Sequence, residues 1–278
     1  MLTGEIVKLG DCFEVISEDP NTLSALPDPN GRPADLVIVF GGDGTVRAVA
    51  RLILESGSGA PVAVIPAGSG NLFAFALRIP SRIKKAVKLA LEGVPIEIDV
   101  GRLNNKDYFL IAFALGYVTE FIVNTPRSMK KHLGIFAYVL NIFKNLKIRR
   151  SKFEISVDGE RRIVEGNTIL VVDALRVFGS RPRKEISFTD GLLNWIIFTN
   201  KNLAGFFDAF LYYFFSLNTG KNFVAANARK IEIILGNESA VAASLDGDEI
   251  ELHSKKVELE MSAGKLRVIA NFPHNEKH

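Results

Sequence analysis

Between Leu36 and Asn71 the chain twice runs a short apolar stretch into a glycine-rich turn: DLVIVF opens onto GGDGT, and PVAVI opens onto PAGSGN. Few folds accommodate that arrangement. Val37, Ile38 and Val39 form an unbroken β-branched run, which predicts a strand buried on both faces of a parallel sheet. Gly41, Gly42 and Gly44 remove side chains where the backbone turns sharply and where N–H groups can approach a bulky anion. Thr45 adds a hydroxyl donor, and the VRAVARLIL that follows has helical spacing, so the first turn sits at a helix N-terminus, which favours phosphate. Gly68, Ser69, Gly70 and Asn71 repeat the pattern between a strand and the apolar run LFAFAL. Ligands of open α/β sheets bind at the carboxyl ends of strands, where the two turns converge.

Asp43 is out of character in a phosphate cradle. A carboxylate beside phosphates is repelled unless a cation lies between them or its own proton chemistry is used; otherwise Asp43 only caps the following helix. Further on, LDGDEI places Asp246, Gly247 and Asp248 in a tight turn, either an ordinary DG hairpin or a turn that presents a carboxylate.

The pattern divides the chain into two textures. The first alternates: strand over 36–40, helix over 46–55, strand over 62–65, helices over 72–77 and 81–92, which is α/β. From Ile96 onward come strand-like segments, IEIDVG, YFLIAFAL, KFEISVDG, NTILVVDAL, LNWIIFT, KIEIIL and KVELEM, which predict a β-rich unit. A length of 278 residues allows two modest domains. The net charge of +3 and the absence of any base-reading motif argue against a nucleic acid ligand. A single cysteine, Cys12, excludes an internal disulfide and makes a reducing compartment the default. The histidines at 132, 253, 274 and 278 show no metal-ligand spacing. Neither a signal peptide nor a transmembrane-length apolar stretch is visible, so the expected location is cytoplasmic and any membrane contact peripheral.

Taken in order, GGDGT, PAGSGN, IDVGRLN at 98–104, KHLGIFAYV at 131–139, FTDGLLN at 188–194 and SLDGDEI at 244–250 resemble the diacylglycerol kinase catalytic-domain family, and within it the soluble bacterial lipid kinases that are also similar to sphingosine kinases. GGDGT alone is shared with NAD kinases and phosphofructokinases; the ordered set is specific. The resemblance implies an α/β nucleotide-binding domain of the NAD kinase/diacylglycerol kinase type over 1–97, to which 264–278 return, and a β-sandwich lipid-substrate domain over 98–263. It implies ATP-dependent phosphorylation of the hydroxyl of diacylglycerol or a related lipid, with Mg²⁺. Carried over residue by residue, Gly41, Gly42, Asp43, Gly44, Thr45, Ser69 and Asn71 meet the nucleotide. Asp248 stands where the family has a glutamate assigned as general base, one methylene shorter, with Glu249 next to it as a substitute. Asp43 competes for that role, or orients Mg²⁺ or the attacking hydroxyl. A second Mg²⁺ is implied at Ser187, Asp190 and the backbone carbonyl of Leu192, against the alternative of a DG turn capped by Asp190.

Partners follow from the same resemblance: a lipid substrate met at a membrane surface, no nucleic acid, and a homodimer as a compatible assembly. Phe206, Phe207, Phe210, Tyr213 and Phe214 either border an acyl-chain cleft or belong to the core. Lys130, Lys131, Lys144, Lys147, Arg149 and Arg150 either rest on anionic lipid or form a solvated basic face. Only 40 residues precede GGDGT, and they contain no NPxSG turn of the kind family members carry. Together with Asp248 in place of glutamate, this supports the alternative of a catalytically weak or inactive nucleotide- or lipid-binding pseudokinase with a truncated N-terminal nucleotide site. Arg47 and Ala48 stand where many relatives have Asn-Glu.

Overall fold

A computed structural model describes residues 19, 21, 34–116, 119, 151–172, 189–199, 208, 222–235 and 242–272. Ser187, the aromatic residues Phe206, Phe207, Phe210, Tyr213 and Phe214, and the basic stretch over 130–150 lie outside the described residues.

The first layer is a sheet in the order β1 (Val37–Gly41), β2 (Val62–Pro66), β16 (Leu266–Ile269), β3 (Pro95–Ile98). β1 and β2 are parallel in the register Val37↔Val62 to Gly41↔Pro66, so both strands end together and bring their glycine turns to the same edge. β16 is parallel to β2 and antiparallel to β3. Helix α1 (Asp43–Ser56) turns Val46, Val49, Ala50 and Ile53 onto this sheet, and α2 (Leu72–Ala76) and α3 (Ile83–Glu92) contribute Phe73, Ala74, Ala86 and Ala90 to the same core. The left-handed Gly57, at φ 65°, terminates α1.

Two expectations about this layer need correction. β2 is buried through Val62 to Ile65, but in β1 only Val39 is; Ile38 and Phe40 are 40% and 49% exposed. Among the described residues β1 is an edge strand with one covered face, so its β-branched run reflects strand propensity more than burial on both sides. Helix α1 also begins at Asp43 rather than near Val46, because Asp43 and Gly44 take helical geometry after the extended N-cap Gly42, and an acidic residue is favoured in a first turn.

The second unit is a β-sandwich. One six-stranded sheet runs β11 (Phe223–Ala228), β10 (Leu193–Phe198), β9 (Thr168–Val172), β6 (Ala112–Gly116), β13 (Ala243–Leu245), β14 (Asp248–Ile250). The other runs β5 (Asp107–Phe109), β4 (Gly101–Leu103), β15 (Lys256–Met261), β12 (Lys230–Ile234), β7 (Ser151–Val157), β8 (Glu160–Gly166). One core joins them, with Phe109, Phe153, Ile155 and Leu259 from the second sheet against Phe113, Leu115, Ile169 and Trp195 from the first. The alternation in KFEISV and KVELEM supplies the inward residues, as expected for strands with one solvated face. Among the described residues, no helix is long and apolar enough to cross a membrane.

Candidate functional site

The two glycine turns are packed backbone against backbone. A Cβ on Gly68 would stand 2.5 Å from the Gly42 Cα, and one on Gly42 would stand 3.0 Å from the Gly68 Cα. None of Gly41, Gly42, Gly44, Gly68 and Gly70 has a positive φ, so closeness and not left-handed backbone is what requires glycine here. Thr45 folds its side chain over Gly41, whose Cβ would meet the Thr45 Cβ at 2.7 Å. Gly42 is the N-cap of α1 and has no side chain to cap the N–H groups of the first turn. That helix end is therefore suited to an anion. Ser69 lies exposed in the second turn. Asn71, left-handed at φ 51°, accepts from the Gly68 N–H and donates to the Gly68 carbonyl, both at 2.8 Å, locking that turn.

Asp43 joins the turns. Its Oδ2 accepts from the Leu72 N–H at 3.0 Å and its Oδ1 from the Phe73 N–H at 2.9 Å. The carboxylate thus caps α2, the helix after the other turn, and not its own. Burial raises the Asp43 pKa above the ordinary value, the two N–H bonds oppose this, and the charge of Asp248 adds to the rise.

Asp248 arrives from the sandwich. Asp246 (φ 52°) and Gly247 (φ 89°) make the two-residue turn between β13 and β14 that a DG pair favours. Asp246 is buried: its N–H donates to the Ala112 carbonyl at 2.8 Å, and its carboxylate accepts from Leu110, Ile111 and Ala112. Burial outweighs these bonds and the Arg47 charge and pushes its pKa up to about 6. With the hairpin so anchored, Asp248 stands over α1, its Oδ2 3.0 Å from where a Gly44 Cβ would be. Strand alternation sends Glu249 to the face opposite Asp248.

Sequence reasoning missed Arg47. Its Nη1 donates to the Leu245 carbonyl at 2.6 Å and its Nη2 to Asp248 Oδ2 at 3.2 Å, with Asp246 Oδ2 at 3.8 Å. Its position one helical turn after Asp43 becomes a signal only once the helix is known to begin at Asp43, which the sequence pattern placed nearer Val46.

The FTDG turn is separate. Asp190 Oδ1 accepts from the Leu192 N–H at 3.0 Å, while Asp99 accepts from the Gly191 N–H at 2.7 Å and pairs with Lys265 at 3.1 Å. Burial, followed by the charge of Asp99, raises the Asp190 pKa. The described part of the expected Mg²⁺ trio is therefore a capped turn, although Asp190 and the Leu192 carbonyl are oxygen donors of the kind Mg²⁺ takes alongside water. Among the described residues no three His, Cys, Asp or Glu side chains gather as a metal site.

An α/β sheet with paired glycine turns, met by an acidic hairpin from a β-sandwich, defines a diacylglycerol kinase-like architecture. Residues 20–103 match the diacylglycerol kinase catalytic domain, which takes in both turns. A YegS-like lipid kinase candidate of Klebsiella pneumoniae (strain 342) is 28% identical over 86% of this chain and 80% of its own. The diacylglycerol kinase of Staphylococcus epidermidis (strain ATCC 35984) is 31% identical over 61% of this chain and 54% of its own, so the matched region spans about half of that relative. The crystal structure of a candidate diacylglycerol kinase from Bacillus anthracis str. Sterne superposes with a TM-score of 0.71 at 26% identity, covering 85% of this chain and 78% of that one. The resemblance to the diacylglycerol kinase catalytic-domain family is borne out, and the relatives belong to the enzyme class it implied, the lipid kinases.

Proposed function

We propose that this chain is a lipid kinase that transfers the γ-phosphoryl group of ATP to the hydroxyl of diacylglycerol or a related lipid at a membrane surface. The observation that carries this is the placement of Asp248, from the sandwich, over the N-terminal turn of α1. Residues 1–97 with 264–278 serve the nucleotide in this proposal and residues 98–263 the lipid. Gly42, Gly44 and Thr45 present the helix end to phosphate, Ser69 and Asn71 form the facing turn, and Asp43 holds the two turns together. Asp248 takes the proton of the lipid hydroxyl as its oxygen bonds to the γ-phosphorus and the bond to the β-phosphate oxygen breaks, releasing ADP. Asp43 is the carboxylate that would hold Mg²⁺ with the phosphates while Asp248 serves the hydroxyl, and that ion when bound would neutralise phosphate charge.

The test is transfer of labelled phosphate from ATP to a panel of hydroxylated lipids by wild type and Asp248→Asn. The wild type is expected to label a single-hydroxyl lipid. The variant should keep nucleotide affinity and lose a factor on the order of 10² to 10⁴ in rate, the usual contribution of a positioned base. A wild type that binds ATP and labels no lipid would refute the kinase assignment.

A further inference from the structure

Resting on Asp248 as the base, we infer that Arg47 is a positioning residue that sets where the Asp248 carboxylate stands. The guanidinium reaches from α1 across to the hairpin, with one prong on the Leu245 carbonyl and the other on Asp248. Leu245 and Asp248 are the pair that closes the β13–β14 turn, so the fork grips both sides of it. The backbone of the turn does not need this grip, because Asp246 already fastens it to the N–H groups of Leu110, Ile111 and Ala112. What Asp246 leaves unheld is the direction of the Asp248 side chain, which is 55% exposed on a strand that is an edge of its sheet among the described residues.

An exposed ion pair by itself contributes little. Arg47, however, is only 21% exposed, and its other prong ends on a main-chain carbonyl at 2.6 Å. The planar fork therefore fixes a direction, which a lysine ammonium cannot do at both acceptors. Since α1 also carries the first glycine turn, Arg47 ties the base to the element that would present the phosphates.

A kinetic cycle with labelled ATP, Mg²⁺ and diacylglycerol in mixed micelles tests this, using Arg47→Met, Arg47→Lys, Asp248→Asn and the Arg47→Met/Asp248→Asn double variant. Arg47→Met is expected to lower kcat by about 10- to 100-fold, the scale of an ångström of misplacement, with KM for ATP and the melting temperature near wild type. Arg47→Lys should recover part of the loss. The double variant should be no slower than Asp248→Asn alone, because Arg47 acts through that carboxylate. Hydrogen exchange should stay at the wild-type rate both at residues 248–250 and at Leu110 to Ala112 in Arg47→Met, because Asp246 and not Arg47 holds the backbone of the turn. Losses that multiply in the double variant, an Arg47→Met rate equal to wild type, or loss of protection at Leu110 to Ala112 each overturn the assignment and leave the kinase proposal standing. Should Arg47→Met not fold, Arg47→Lys decides: a reduced kcat at wild-type stability supports the assignment and an unchanged kcat overturns it. A wild type inactive on diacylglycerol and on every other hydroxylated lipid removes the kinase proposal and this one with it.

Discussion

Asp43 and Asp248 are both carboxylates beside the first turn, but their oxygens are differently engaged. Both oxygens of Asp43 accept main-chain N–H groups of α2, whereas Asp248 bonds only to Arg47 among the described contacts. Asp43→Asn replaces one acceptor by a donor and leaves an N–H facing it, so it should cost about 1–3 kcal/mol of stability and weaken nucleotide binding as well. Asp248→Asn should leave the melting temperature near wild type. Melting curves and nucleotide calorimetry on the two variants separate the roles, and an Asp43→Asn protein as stable as wild type would remove its part in joining the turns. Asp246 gives a pH prediction. Its folded pKa of about 6 lies above the ordinary value of 3.8, so the folded state binds this proton more tightly than the unfolded. The resulting stability is fully present below the unfolded value and is lost as the pH rises through about 6, a swing on the order of 3 kcal/mol. Urea unfolding of wild type and Asp246→Asn between about pH 4.5 and 7.5 should show the wild type gaining on the variant as the pH falls. A difference that does not change across that window would mean the carboxyl titrates normally.

At the scale of elements, the two strand–turn–helix units act as one because Gly42 and Gly68 touch. The closer approach is from Gly68, so Gly68→Ala should be worse than Gly42→Ala: each pushes the turns apart at a cost of about 1–3 kcal/mol, and nucleotide affinity measured by calorimetry should fall in that order. Equal affinity in folded variants would mean the turns do not bind as a pair. This changes the reason the motif is glycine-rich: the sequence showed where side chains are excluded, but it did not show that the neighbour is the other turn. The DG hairpin, the parallel pair β1 and β2, and α1 were legible because each depends on local turn chemistry or periodicity. Arg47 was not, since its partner Asp248 lies 201 positions away and a lone cation on a helix leaves no period to read. The exposed face of β1 was misread for a related reason, because strand propensity and two-sided burial both select β-branched residues. At the FTDG turn, sequence reasoning left a metal site and a capped turn as alternatives. Asp190→Ala should cost about 1 kcal/mol from the lost bond to the Leu192 N–H in either case. Only if Asp190 also holds Mg²⁺ should the Mg²⁺ response of the melting temperature disappear with it.

At the scale of the whole molecule, the chain crosses between its two units twice among the described residues, and these crossings are fastened to each other. Leaving the first sheet, it passes from β3 to β4 through Asp99 and Val100; returning, it passes from β15 to β16 through Ser262 and Lys265. The Ser262 N–H donates to the Val100 carbonyl at 2.8 Å, and Lys265 pairs with Asp99, which also receives the Gly191 N–H from the sandwich side. β16 then lies between β2 and β3, with Leu266 and Val268 fully buried, so among the described residues the first sheet closes up only after β16 has come back. Such long-range pairing predicts that the two units unfold together and fold slowly for their size. Trp195 makes the prediction measurable, since it is the only tryptophan and is buried in the sandwich core. Leu266→Ala removes a buried leucine from the other unit and should cost about 2–5 kcal/mol, whereas Arg267→Ala, on the exposed face, should change stability by less than about 1 kcal/mol. If the fastened crossings make one cooperative molecule, Leu266→Ala shifts the denaturant midpoint reported by Trp195 fluorescence as far as that reported by nucleotide binding. A Trp195 midpoint that stays at the wild-type value while nucleotide binding is lost early would show the two units unfolding independently.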